Sequence, residues 1–256
     1  ATKPTRDLMT MLQIDYLDVA HKEGKTLPYE QKDIRESVLH TIVLNYGEVT
    51  DISPDIRLTF HNAGHIVGST IPHLHIGEGI YNIAFAQDIK FARSNLLDPA
   101  NCRFPRLETL FIESTYGKPQ DILPPRAECE KMLRNIVNDT IKKNGKVLIP
   151  VLAVGRAQEI LVVLENLMKT KEIPTIPIYT DGMIREASAI TTAHPEFLSK
   201  NLRERIFHAG QNPFLSEQMK HVASNEEREL IVQGDPAIIV ATSGMLNGGP
   251  SVQYFK

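Results

Sequence analysis

The stretch Leu58-Thr59-Phe60-His61-Asn62-Ala63-Gly64-His65-Ile66-Val67-Gly68-Ser69-Thr70 changes character half way along. Up to His61 it alternates, Leu58 and Phe60 set against Arg57, Thr59 and His61, which is the period of a β-strand with one buried face. The alternation breaks at Ala63-Gly64 and leaves His65 on a turn beyond the strand. A second run, Tyr81-Asn82-Ile83-Ala84-Phe85-Ala86-Gln87-Asp88, delivers a carboxylate at a strand end in the same way. Neutral imidazole and carboxylate both suit zinc, so these strand ends are parts from which a hydrolytic metal site is built. They are not a whole site, because catalytic zinc usually takes three protein ligands and keeps one position open for water.

Working outward, Thr2 and Pro4 form a helix start, and Leu8, Met11, Leu12, Tyr16 and Val19 fall on one face up to Gly24. A second helix is expected over 29–41. Strands are expected over 42–46, 56–61, 69–76, 80–86 and 109–112, separated by Gly, Pro and Asn turns. This predicts a layered α/β arrangement. Pro119, Pro124 and Pro125 then read as a linker. Beyond it helices over 126–143, 156–169 and 183–192 alternate with strands over 146–152, 176–179 and 237–241, which predicts a parallel, Rossmann-like sheet. A domain boundary is expected near residue 119, dividing 1–118 from 119–256.

Composition narrows the class. A chain of 256 residues with 42% hydrophobic content can bury a core in one large domain or two small ones. Its formal net charge of −3 argues against a protein that coats phosphate backbones, but not against an enzyme that takes RNA in a local groove. Cys102 and Cys129 lack paired spacing, so neither a disulfide framework nor a cysteine zinc site is suggested, and a reducing compartment is the default. No apolar run approaches the roughly 20 residues of a membrane span, and no signal peptide opens the chain. The expectation is a soluble, cytoplasmic protein with no membrane partner.

Several stretches compete for the chemistry. His73-Leu74-His75 places two imidazoles on one strand face, where they can grip a metal, but Pro72 and Gly77 bound it as an ordinary strand. It is set aside as a catalytic motif, and His61 need not converge with His65. Asp88 has a bland reading as a strand-end cap, and Glu113 as a salt-bridge partner. Glu113 nevertheless closes the apolar run Leu110-Phe111-Ile112, so its carboxylate emerges at a strand end, where α/β sites are found. Val154-Gly155-Arg156-Ala157-Gln158 lies between a strand and a helix, so free backbone N–H groups and a guanidinium can meet an anion together. Ser243-Gly244 and Gly248-Gly249 follow a strand with glycines that let a ligand approach the backbone. Tight-turn chemistry accounts for both loops equally well. Lys90, Arg93, Lys142 and Lys143 read as solvated faces, and the few aromatics form no stacking platform.

Gly64-His65-Ile66-Val67-Gly68-Ser69, then Gln87-Asp88-Ile89-Lys90-Phe91, then Phe111-Ile112-Glu113-Ser114-Thr115-Tyr116-Gly117 together resemble the metallo-β-lactamase superfamily. The resemblance is to its β-CASP nuclease branch, and within it to archaeal homologues of the cleavage and polyadenylation specificity factor. It covers nearly the whole chain and is most specific at Glu113-Ser-Thr-Tyr-Gly. It implies a partial metallo-β-lactamase αββα core followed by a Rossmann-like β-CASP domain. It further implies two Zn2+ ions, His65 as a ligand, Asp88 as the ligand bridging both, and Asp88 and Glu113 as the catalytic residues present. Glu113 would mark the start of the β-CASP domain and buttress a histidine from a later motif. Gly155, Arg156, Ser243, Gly244, Gly248 and Gly249 would face RNA phosphates.

Gln87 stands where the family usually has Gly, which bears on how the backbone brings the carboxylate to a metal. The family's His-x-His-x-Asp-His motif is absent ahead of Thr5, and its later histidine motifs are absent before Lys256. On that pattern the chain reads as an internal piece holding about half of the zinc shell or less. The activity implied is zinc-dependent phosphodiester hydrolysis in RNA 3′-end cleavage. RNA, an RNA-processing or transcription-termination machinery and a homodimer are the partners. The competing reading is a non-catalytic RNA-binding or scaffold subunit; a small ester substrate is disfavoured by the second α/β region.

Overall fold

The computed structural model describes residues 1–255, which fall into two compact units. The first comprises Ala1–Glu113 with the short segment Ala193–Leu198, the second Ser114–Thr192 with Ser199–Lys256.

The first unit opens with α1 (Lys3–Lys22) and α2 (Gln31–Leu39). Thr2 caps α1 by accepting the Thr5 N–H, and Pro4 sits in the first turn, where a missing N–H costs nothing. Five strands follow: β1 (Val49–Ser53), β2 (Ile56–Asn62), β3 (Thr70–Ile76), β4 (Tyr81–Ala86) and β5 (Thr109–Ile112). They lie in sequence order, antiparallel except that β5 runs parallel to β4. One sheet face carries Thr59 and His61, then Ile71, His73 and His75, then Asn82, Ala84 and Ala86, matched across strands by pairs such as Thr59 with His73 and His73 with Ala84. Ala63, Ile71, Ala84 and Ala86 are buried there, and Ile89, Phe104 and Leu107 pack on them. The segment Ala193–Leu198 docks by a 2.7 Å contact of His194 Nε2 with Asp7 Oδ2 and by Phe197, edge-on to Tyr46 at 4.9 Å.

The first strand of this unit is not where the sequence predicts it. Residues 42–46 form no strand; only Tyr46 bridges to Phe60, and its hydroxyl donates to the Ser69 carbonyl at 2.8 Å. The strand lies instead at Val49–Ser53, an exposed edge whose Asp51 and Ser53 hide the pattern.

The second unit alternates α3 (Arg126–Lys142), β6 (Val147–Pro150), α4 (Arg156–Lys169), β7 (Ile178–Asp181), α5 (Ile184–Ala193), α6 (Lys200–Phe207), β8 (Met219–His221), α7 (Asn225–Gln233), β9 (Ile238–Ala241) and α8 (Pro250–Phe255). The sheet order is β6-β9-β7-β8, all parallel. All four β9 residues are buried, and their alternation feeds two cores. Ile238 and Val240 join Val137, Leu161, Leu164 and Ile184 on one face, whereas Ile239 and Ala241 join Val222 and Ile231 on the other. Layered helices on both faces of a parallel sheet are the α/β arrangement the sequence predicts. Helices α6 and α7 and strand β8 lie where no element is expected.

Candidate metal centre and phosphate cradle

The turn after β2 is held from several sides. Asn62 Oδ1 accepts the Gly64 N–H at 2.9 Å, and Ser69 Oγ accepts the N–H groups of His65 and Ile66, both at 3.2 Å. Gly64 has φ +68, and a Cβ there would stand 2.7 Å from both the Lys90 carbonyl and the Ala100 amide nitrogen. Only glycine allows that approach. Gly68 serves the other side: at φ +78 it lies against Thr2 and Pro4, and Thr2 Oγ1 donates to its carbonyl at 2.8 Å.

What packs on Gly64 is the backbone that follows Asp88. Lys90 N–H donates to the Ala63 carbonyl at 2.9 Å, and Ala100 N–H donates to the Lys90 carbonyl at 2.8 Å. Asn101 N–H donates to the Asn62 carbonyl at 2.8 Å, and Asn62 Nδ2 donates to the carbonyls of Asp98 and Pro99. Three loops are thereby laced together: one carries His65, one carries Asp88, and the third, 98–103, lies across them.

Glu113 completes the lacing. Its N–H donates to the Ala86 carbonyl at 3.0 Å, and its Oε1 accepts the Ile89 N–H at 3.0 Å. The carboxylate thus holds the residue directly after Asp88. His65 and Glu113 are half-buried and Asp88 is exposed. Among the described residues no group of three or more His, Cys, Asp or Glu is arranged to hold a metal ion. His65 and Asp88 are donors of the right chemistry on adjoining loops; they fit part of a zinc shell and do not complete one. His73 and His75 lie on the same sheet face, as their spacing predicts, and His73 is buried.

In the second unit the carboxyl ends of β6, β9 and β7 carry a cradle of tight loops. Gly155 precedes α4 at φ +79, and its N–H is not open to an anion: buried Gln158 reaches back and accepts it at 2.7 Å. The N–H groups of Arg156 and Ala157 are taken by the carbonyls of Val154 and Leu152. The free amides expected here are therefore paired, and the guanidinium remains. The Arg156 side chain makes no hydrogen bond or ion pair among the described residues.

Gly244 lies so close to Val151 that a Cβ would stand 2.9 Å from its carbonyl carbon, and Gly249, at φ +72, meets the Thr242 carbonyl at the same distance. Gly248 faces open space. Ser243 Oγ donates to Asn247 Oδ1 at 2.9 Å, its N–H to the Gly248 carbonyl at 3.3 Å, and its carbonyl accepts from Ser251 Oγ at 2.8 Å. Gly155, Arg156, Ser243, Gly244, Gly248 and Gly249 thus belong to loops at the carboxyl ends of one parallel sheet.

The anchor of this cradle is a residue without a motif around it. Asp181, buried at the end of β7, accepts Arg228 Nε at 2.7 Å and Nη2 at 3.0 Å, the Tyr254 hydroxyl at 2.8 Å and the Gly182 N–H at 2.8 Å. Hydrogen bonding to Asp181 raises the Arg228 pKa, while burial first and then the Asp181 bond raise that of Tyr254. The signal was an Asp-Gly pair closing an apolar strand, visible in Ile178-Tyr-Thr-Asp181-Gly182.

A sheet whose strand ends present His65 and Asp88, followed by a parallel unit with glycine-tight loops, is the architecture of a metallo-β-lactamase-type core with a β-CASP domain. Residues 157–256 match the Beta-Casp domain. All 256 residues align with the transcription termination factor FttA of Methanocaldococcus jannaschii at 60% identity. The FttA proteins of Thermococcus kodakarensis and Lokiarchaeum sp. are 59% and 56% identical, again over the whole of this chain. The chain spans 40% of the length of the first and third of these relatives and 39% of the second.

Proposed function

We propose that this chain supplies part of the catalytic cleft of a zinc-dependent ribonuclease that cuts RNA at 3′ ends during transcription termination. The observation that carries the proposal is the lacing of the His65 and Asp88 loops through Gly64, Lys90 and Glu113. Ligand-type side chains on loops tied to each other keep their positions when a substrate pulls on them. The likeness to proteins named termination factors supports RNA as the substrate and the transcription machinery as the setting.

His65 and Asp88 would hold zinc, with Asp88 shared between two ions, and the remaining ligands would come from outside these residues. When bound, such a pair lowers the pKa of a water and offsets charge on the phosphate. Glu113 fixes the backbone after Asp88 and so sets the direction of its carboxylate. Arg156 offers a planar two-pronged donor to a phosphate, with Ser243 and the glycines 244, 248 and 249 shaping the wall beside it.

The test is zinc stoichiometry and RNA cleavage in the whole protein. Asp88→Ala is expected to abolish cleavage and to lower zinc content below that of the wild type, because one carboxylate serves both ions. The isolated 256-residue chain is expected to bind zinc weakly and to cleave no RNA. Wild-type protein that carries no zinc and cleaves nothing while still binding RNA would replace this reading with that of a scaffold subunit.

A further inference from the structure

His73 and His75, set aside as a metal grip, and His61 beside them are joined in one hydrogen-bonded network. His61 Nε2 lies 3.2 Å from His73 Nδ1, and His61 Nδ1 lies 3.0 Å from Asn101 Nδ2. Phe104 caps both rings edge-on, at 5.1 Å from His61 and 5.5 Å from His73. The orientation of the Asn101 amide is not arbitrary. Its Nδ2 donates to the Arg103 carbonyl at 3.0 Å and its Oδ1 accepts the Arg103 N–H at 3.2 Å, so turning it over would break both bonds. An amide nitrogen can only donate, so His61 Nδ1 is an acceptor and carries no proton. The His61 proton then sits on Nε2 and is donated to His73 Nδ1, which leaves the His73 proton on its own Nε2. That atom is buried.

We infer that His61 and His73 are positioning residues: a directional relay, His73 accepting from His61 and His61 accepting from Asn101, pins loop 98–103 across the loops that carry His65 and Asp88. Asn101 is the junction. Its side chain ends the relay, while its N–H is bonded to Asn62, and its neighbour Ala100 bonds Lys90. The interior of the sheet is thus coupled to the candidate centre through one amide.

The surrounding charges are arranged to keep the relay neutral. His75 Nδ1 lies 2.8 Å from Asn82 Oδ1, and its Nε2 lies 3.0 Å from Thr59 Oγ1. Asn82 is fixed in turn by Glu108, which Arg106 also binds. Burial first, then His75 and His61, push His73 down to about 4, against the smaller opposing effects of the Arg106 backbone and Glu108. Burial and then His75 lower His61 as well. Protonating His73 on Nδ1 would reverse the whole relay and turn Asn101 away from Arg103.

The inference gives loop 98–103 a role in the proposed centre and rests on that reading for its use, but its test does not. In the full-length protein with ¹⁵N-labelled histidine, His61 and His73 are expected to show the Nε2–H tautomer at pH 6.5, and His73 is expected to remain neutral at pH 5. Hydrogen exchange then reads the loop. His73→Leu, which removes the acceptor, should speed exchange in 98–103 at least tenfold, whereas His73→Asn, whose Oδ1 stands near the place of Nδ1, should restore it. Exchange in helix 156–169 serves as the control for general unfolding and should not change. An Nδ1–H tautomer at either ring, or His73→Leu leaving 98–103 as protected as the wild type, overturns the relay. Failure of the wild type to bind zinc would instead sink the proposed centre, because tautomer and exchange are read without metal.

Discussion

In the first unit, ligand-type side chains stand on loops whose backbones are tied to one another. In the second, an ion pair under the sheet's end supports loops that present backbone and glycine. His65 and Asp88 owe their placement to amide-to-carbonyl bonds among residues 62–64, 89–90 and 98–101. The cradle around Ser243 rests on Asp181, whose carboxylate gathers Arg228, Tyr254 and Gly182 at once. Backbone lacing fixes where a side chain starts without drawing on that side chain's own atoms. An ion pair consumes the donor atoms of the groups that form it and leaves the neighbouring loops available instead. The first plan suits a ligand that needs directed lone pairs, the second one that needs room beside a backbone.

The largest effect expected from breaking this division is in the second unit. Asp181→Ala leaves a largely buried guanidinium without its carboxylate, and breaking a buried pair from one side costs about 3–5 kcal/mol. Denaturation should show that loss, with exchange in 157–168 rising while 56–62 stays protected. Equal loss of protection in both segments would show that the two units share one support.

Gly64→Ala is the matching change in the first unit. Its Cβ would meet backbone atoms of both neighbouring loops, and the residue would be held at φ +68, so about 2–4 kcal/mol is expected. Exchange should rise in 86–90 and 98–103, and zinc content of the whole protein should fall. An unchanged zinc content with loosened loops would break the link between lacing and metal.

How far these plans can be read from sequence follows from the same difference. Strands β2 to β5 are legible because residues such as Leu58 and Phe60 alternate, and the turn at Gly64-His65 is legible because the alternation stops there. The lacing is not, since it joins carbonyls and amides of residues far apart in sequence, and backbone groups leave no composition signal. Helices α6 and α7 bury only Leu202 and Ile231, so they lack an apolar stripe, although their serine caps, Ser199 and Ser224, were there to be read. Asp181 is polar and buried, and such a residue is understood only when its partners, 47 and 73 positions away, are in view.

Acid should distinguish the units next. His73 is pushed down to about 4 in the fold, against 6.5 for an unperturbed ring, so between those values the unfolded chain binds a proton that the folded one refuses. Stability from this group is complete above pH 6.5, falls as the pH drops toward 4 and then levels off. The lowered His61 acts in the same direction. Thermal unfolding followed at 56–62 should respond over this range, and His73→Asn should flatten the response.

The smallest effect belongs to Arg156, and it decides whether the cradle touches RNA. Its backbone N–H is already bonded and its guanidinium has no partner among the described residues, so its substitution should disturb the fold little. If the guanidinium meets a phosphate, Arg156→Ala should weaken binding of single-stranded RNA by about 1–2 kcal/mol. It should also make the dependence of log affinity on log salt shallower by about 0.7, the share of one phosphate on a single strand. Zinc content should not change, because arginine is no zinc ligand. Arg156→Lys should recover the salt slope, which counts charge, but only part of the affinity, because an ammonium cannot reproduce the planar fork. Loss of affinity without any change of slope would mean that the arginine shapes the loop rather than meeting phosphate. Wild-type affinity for Arg156→Ala at every salt concentration would remove the cradle from the RNA path and leave the loops of the first unit to bind the substrate.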